Sequence, residues 1–334
     1  IIPAILYFTG IFIMVHLEAK KTGLKGLSRD SLPKIGELLM KKGYLVIPLA
    51  TIIYFFVLGK TAIYAGLMGI IAAGLVAIIN SIVDIILQRE RSFTFNDLID
   101  VFVNGARNII SVAVACAMAG IIIGVITLTG LGLKIGAGLI SISSGISILL
   151  LMLTMISSII LGMGVPTTAN YLITSTIAAG AIIGLGFEPL AAHMFVFYFG
   201  IIADVTPPVA LAAMAGAAIA KSDPLKTGFE ATKLSIGAFI IPYMFIFNPQ
   251  ILMINTTFVE VIPILITSLI GMFGVSAGLD GYVFRKCNFI ERILFIAAGL
   301  LSIYPEFYTD IIGIGLIAAL IILQIITRKK KAIA

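Results

Sequence analysis

The chain has 334 residues, of which 60% are hydrophobic and 11% charged, with a formal net charge of +6. Soluble domains carry about 25% charged residues, and a soluble fold of this size cannot wet so much apolar surface, so the composition points to lipid. Two cysteines far apart in sequence argue against a disulfide framework, and two histidines without paired ligand spacing offer no metal motif.

The first apolar run, 1–17, is under way at Ile1. A span needs about 20 residues, so the chain reads as a fragment cut inside or just before a helix. A signal peptide would open with Met and basic residues. The basic stretch 20–42, broken by Gly23, Gly26 and Pro33, reads as a surface loop with a short amphipathic helix. Spans follow at 44–59, 62–87 and 108–129. Before the last of these, 93–108 reads as a second surface connector with Asp97, Asp100 and Arg107 spaced as one polar helical face. Cys116 and Cys287, in or beside apolar segments, read as buried thiols. Two apolar segments, 146–161 and 168–185, are joined by an uncharged Gly/Pro stretch. Then come 190–219, interrupted by a double proline, and spans at 234–247, 258–279, 291–304 and 311–327.

Threaded alternately, these spans place twenty of the 22 Lys and Arg residues on one side, and Lys60 and Lys134 on the other. That asymmetry is the positive-inside pattern, with a cytoplasmic C-terminus in an inner membrane. It also accounts for the positive charge without nucleic acid; the solvent partner is membrane lipid. Other loops carry Lys or Arg, whereas the tip from Leu161 to Thr168 carries no charge. The pair is therefore expected to be a re-entrant hairpin whose tip stops inside the membrane.

Two places interrupt helical hydrogen bonding in lipid. At the hairpin tip Gly162 and Gly164 weaken the helix and Pro166 removes a donor. In the run Ala203-Asp204-Val205-Thr206-Pro207-Pro208-Val209, two prolines delete two donors and push Thr206 out of α geometry. Unwound backbone of this kind coordinates Na⁺ in transporters, and half-helix N-termini face anionic substrate groups. The expected ion ligands are Gly162, Met163, Asp204, Val205 and Thr206, mostly through carbonyls. Gly164, Pro166, Thr167, Thr168, Asn170, Pro207 and Pro208 are expected on the substrate side. Asp204 is the one acid deep in a broken helix, a functional position by default; the bland alternative is a proline kink with Asp204 at the interface. His193 reads as a packed interfacial residue or a proton relay, Asn170 as a ligand-orienting group or a helix-packing one. Asp84 and Asp280 read as interfacial. The start of the chain, Ile1-Ile2-Pro3, echoes Ile240-Ile241-Pro242, as an inverted repeat would.

These residues resemble a known family. The run Gly162-Met163-Gly164-Val165-Pro166-Thr167-Thr168-Ala169-Asn170-Tyr171 resembles the second hairpin of fused permeases of tripartite ATP-independent periplasmic (TRAP) transporters, the DctM-like, TAXI-type large membrane subunit. Ala191 to Gly200, Asp204 to Ala213, Ser222 to Gly228, Phe12 to Lys20 and Thr127 to Lys134 extend the resemblance to about Asn255. It implies an all-α, inverted-repeat elevator fold with a re-entrant hairpin and a broken helix. The implied activity is Na⁺-coupled import of small organic acids (C4-dicarboxylates, glutamate or related carboxylates), with Na⁺ as coupling ion and no other cofactor. The implied partners are a periplasmic solute-binding protein and small-subunit helices, fused N-terminally and missing here. On this reading 1–145 ends the first repeat with scaffold and arm helices, 146–220 is the second transport hairpin with its broken helix, and 221–334 holds the C-terminal helices. A channel, or an ion-coupled carrier without a binding protein, is the alternative. An intramembrane enzyme is disfavoured, because Asp204 lacks a partner acid and no Ser nucleophile motif accompanies His193.

Overall fold

The computed structural model describes residues 1–24, 26, 35–86, 94–304 and 306–333. Lys25, Arg29, Pro33, Lys34, Arg89 and Arg91 of the predicted basic loops lie outside the described residues. Among the described residues the secondary structure is helical except for one isolated bridge, Tyr282 with Lys286. Among the described residues five helical segments are long and apolar enough to cross a membrane: Ile2–Thr22, Ala62–Ile86, Pro224–Phe247, Phe258–Asp280 and Tyr308–Thr327. A sixth is possible if a bent pair, Cys116–Thr129 with Leu131–Ser143, counts as one span.

The chain divides into two compact units, residues 25–113 and residues 1–24 with 114–334. In the smaller, α2 (Ile35–Lys42) is the expected short helix, followed by α3 (Ile47–Val57) and α4 (Ala62–Ile86). α3 and α4 pack closely, since a Cβ on Gly69 would stand 2.5 Å from Ile52 Cγ1. The expected polar helical face is present from Phe95 on, but it runs without a break into the following span as a 35-residue helix, α5 (Phe95–Thr129). Its start is set locally: Asp97 Oδ2 accepts from the Thr94 amide at 2.7 Å, and the Asp97 amide donates to Thr94 Oγ1 at 3.3 Å. This reciprocal cap satisfies orphan amides, and the Thr94 hydroxyl and amide hold the Asp97 carboxyl below its usual range.

In the larger unit, α1 (Ile2–Thr22) stops at Gly23, whose φ of 75° closes a left-handed C-cap. α5 turns by 74° at Gly130 into α6 (Leu131–Ser143), a helix the hydropathy reading does not contain. α7 (Ser147–Gly162) leads to the tip. The expected segment 168–185 is resolved into α8 (Thr167–Thr174), a π-helical turn (Ser175–Ala179) and α9 (Gly180–Gly184).

The core gathers around α10 (Pro189–Ile202). Phe195, Phe199 and Val196 on it are fully buried beside Leu6 of α1, Leu151 of α7 and Met272. Lipid supplies no hydrophobic drive between helices, so close packing holds them. The Phe195 and Phe199 rings meet edge-on at 4.9 Å, and Phe195 meets Tyr243 at 5.3 Å. Such pairs add roughly 0.5–1.5 kcal/mol each.

After the break come α11 (Leu211–Ala220), then α12 (Pro224–Ser235), capped by Asp223 accepting from the Lys226 amide at 2.9 Å. A 3₁₀ turn continues α12 into α13 (Ile241–Phe247), so this span starts earlier than the expected 234. α13 and α1 both carry proline in the first turn and pack on each other. The chain ends with α14 (Phe258–Asp280), α15 (Phe289–Leu301) and α16 (Phe307–Ile333). Gly271, Gly274, Gly278 and Gly299 bring α14 and α15 to backbone distance; a Cβ on Gly299 would lie 2.6 Å from Gly271 O.

Asp280, the last residue of α14, has a fully buried side chain whose Oδ1 holds Lys21 Nζ at 3.1 Å, joining α14 to the last turn of α1. One reading is corrected. Cys116 and Cys287 are free thiols, but half-buried rather than buried.

Candidate functional site

The hairpin tip follows from its sequence. α7 ends at Gly162, Met163 turns to extended geometry, Gly164 takes φ 72°, and Pro166 caps α8 without a side-chain bond. The first amides of α8 therefore lack a backbone acceptor among the described residues. Thr167 and Thr168 stand exposed there, as does Gly164, while Met163 and Pro166 are half-buried. The result is a short helix with its positive end open at the tip.

The second break lies just after α10. Ala203–Val205 tightens to a 3₁₀ turn, Thr206 becomes extended (φ −109°, ψ 134°), the Pro207–Pro208 bond is cis, and Ala210 takes φ 41° before α11 begins. The freed carbonyls partly find partners. Thr206 Oγ1 donates to Ile202 O at 3.1 Å, and Thr232 Oγ1 on α12 donates to Val205 O at 3.1 Å. Thr206 is buried, Asp204, Val205 and Pro207 are half-buried, and Pro208 is exposed.

Asn170 ties tip and break together. A Cβ on Gly162 would lie 2.5 Å from Gly200 O and 2.8 Å from Asn170 Nδ2, so the end of α7, the Asn170 carboxamide and α10 meet at one point. Asn170 is 3% exposed, and its Oδ1 has no hydrogen-bond partner. Thr154 Oγ1 and Ser158 Oγ are likewise buried without partners. With Gly162 they recur every four residues, on one face of α7. A buried polar atom without a partner is costly, and hard cations take oxygen ligands.

Of the expected residues, the structure brings Gly162 and Asn170 together against α10, one turn before the unwound Asp204, Val205 and Thr206. It does not bring Thr167 and Thr168 into hydrogen bonds with Pro207, Pro208 or their neighbours among the described residues. Gly200, Ser158 and Thr154 were missed. Their only signals in sequence were a glycine ending an aromatic run and hydroxyls spaced by four. His193 is neither free nor merely packed: its Nδ1 lies 3.0 Å from the Tyr171 hydroxyl, beside Asn170.

No curated protein and no solved structure matches the chain. Residues 1–261 match the family described as the tripartite ATP-independent periplasmic transporter, DctM component. That stretch holds the hairpin, both breaks and the Asn170 junction, and it is well over half of the chain. The chain therefore belongs to the DctM family: a multi-pass, non-enzymatic inner-membrane component of binding-protein-dependent secondary transport, in a system that includes a periplasmic solute-binding protein and a DctQ subunit.

Proposed function

We propose that this chain carries the second half of the transport path of a Na⁺-coupled importer for small organic acids, C4-dicarboxylates and glutamate among them. The observation that carries the ion is the unpartnered Oδ1 of Asn170, buried where the hairpin meets the broken helix. An oxygen that would otherwise cost roughly 1–3 kcal/mol is satisfied by a bound cation. Carbonyls of Gly162, Met163, Asp204 and Val205 with the Thr206 hydroxyl complete the set. The open N-terminus of α8, with Gly164, Pro166, Thr167 and Thr168, takes the substrate carboxylate, and Pro207 and Pro208 shape the opposite wall. On this reading Asn170, expected on the substrate side, serves the ion instead.

In this reading α7 to α9 form a re-entrant hairpin that moves with α10 and α11 as one elevator body. The accumulation of Lys and Arg on one side of the threaded spans supports a cytoplasmic C-terminus. TAXI-type fusion of the small-subunit helices accords with the sequence resemblance.

The test is uptake of labelled C4-dicarboxylates and glutamate into proteoliposomes of the full-length protein, with its binding protein and an imposed Na⁺ gradient. Uptake requiring both supports the proposal, with Asn170→Ala raising the Na⁺ needed for half-maximal rate. Uptake independent of Na⁺, or current far above carrier turnover, would reject it.

A further inference from the structure

A second oxygen-lined place lies away from the hairpin, where the family-matched stretch meets the helices beyond residue 261. A cavity of about 450 Å³ at the α5–α6 elbow is lined mainly by glycine and aliphatic residues and offers no chemistry. The cavity near Asn248 is different. It measures about 220 Å³ and is lined by Asn248, Gln250, Thr267, Tyr304, Glu306 and Asp310, with Ile264 and Ile303.

Glu306 and Asp310 sit four residues apart at the start of α16 and share one face. Two carboxylates so placed repel one another, yet no Lys or Arg lines the cavity. Neither acid forms an ion pair among the described residues. Asp310 Oδ1 is buried with no hydrogen-bond partner. The second, independent sign is Asn248, from the turn after α13. It is 6% exposed, lines the cavity, and its side chain makes no hydrogen bond among the described residues. The loop carbonyls nearby are already used: Thr309 Oγ1 donates to Tyr304 O at 3.1 Å and to Glu306 O at 2.8 Å. What remains is one buried carboxylate oxygen without a partner, Asp310 Oδ1, beside a second carboxylate and two carboxamides, with no Lys or Arg in the lining.

We propose that Glu306, Asp310, Asn248 and Gln250 form a binding site for a divalent cation of the calcium class. Ca²⁺ takes 6–8 oxygens in flexible geometry, which two carboxylates, two carboxamides and water supply; Mg²⁺ wants a smaller, octahedral shell. With the C-terminus cytoplasmic, as proposed above, the site opens to the periplasmic side. The cation clamps two parts of the chain: the turn after α13, through Asn248 and Gln250, and the start of α16, through Glu306 and Asp310. It is structural and separate from the transported ion, because it shares no residue with the hairpin or the broken helix.

The experiment uses the full-length protein in detergent, stripped with chelator, in equilibrium binding of ⁴⁵Ca²⁺ and thermal melts with and without Ca²⁺. Wild type should bind saturably at low-millimolar Ca²⁺ or below and melt at a higher temperature with it. Glu306→Gln and Asp310→Asn should each weaken binding at least about tenfold. In chelator both should melt at or above the wild-type temperature, since they remove a repulsion. Glu306 is exposed, so Glu306→Gln remains informative should Asp310→Asn fold poorly. Absence of saturable binding, or binding unchanged in both variants, would overturn the site. Loss of ⁴⁵Ca²⁺ binding with Na⁺-driven uptake intact would support a structural clamp.

Discussion

The Asn170 carboxamide lies so close to Gly200 that a Cβ there would stand 2.5 Å from Oδ1 and 2.9 Å from Cγ. Hairpin and broken helix are thus held in one register by a side chain that only a glycine admits. Gly200→Ala should force the two apart, at roughly 1–3 kcal/mol. The expected readout is a lower melting temperature of the purified protein together with a loss of uptake. A variant that melts and transports as wild type would show that the junction is slack.

Lys21 and Asp280 make a second testable joint. Asp280 has no exposed side-chain surface, and Lys21 bonds both its Oδ1 and its backbone carbonyl at 3.1 Å. Removing the ammonium strands a buried carboxylate, so Lys21→Met should cost about 3 kcal/mol. The double variant with Asp280→Asn should recover most of that. Equal melting of single and double variants would mean that the carboxylate is otherwise satisfied.

The Cys287 thiol offers a pH test between α14 and α15. Burial pushes its pKa above the ordinary 9.0, and Gln324, donating to Sγ at 3.0 Å, opposes that only in part. The reactive thiolate is therefore scarce near neutrality. Alkylation by N-ethylmaleimide should rise about tenfold per pH unit from pH 7 to beyond pH 9, without levelling. A plateau below pH 9 would contradict this environment. Gln324→Leu should slow the reaction further.

Around the ion, Thr206→Ala should raise the Na⁺ needed for half-maximal uptake by about tenfold. Its buried hydroxyl donates to Ile202 O and keeps lone pairs for a cation. Thr167→Ala should act mainly on substrate affinity, because Thr167 is exposed at the tip. Asp204→Asn should loosen coupling, read as uptake that persists without a Na⁺ gradient. Unchanged Na⁺ dependence in all three would remove these residues from the ion site.

Much of this was legible in sequence because proline and glycine act locally. Pro166, Pro207 and Pro208 mark both breaks without reference to anything distant. Long-range relationships were not. Nothing near Asp280 in sequence names Lys21, 259 residues away, as its partner. The helical face at the start of α5 is legible from the spacing of Asp97, Asp100 and Arg107; that it runs on unbroken into the span is not. α6 was hidden because Gly132, Gly136 and Gly138 dilute its apolar signal, and it forms by leaning on its neighbour: a Cβ on Gly132 would lie 3.1 Å from Thr176 O. Asn170 could be singled out, but not the glycine it needs.

The π-helical turn at Ser175–Ala179 has a consequence for the hairpin as a whole. Before it, Ala169 and Ile173 fall in one buried cluster with Ala119 and Ile126 of α5; after it, Ile182 belongs to the core around α10, and within the turn Ile177 joins the first cluster while Ala178 and Ala179 join the second. One residue more in a turn rotates everything beyond by about 100°. The insertion works as a swivel for the apolar residues: α8 sets Ala169 and Ile173 against α5 while Asn170 and Tyr171 reach α10, and beyond the turn Ile182 comes round to α10. Deleting one residue there would straighten the arm and leave its two halves gripping the same side.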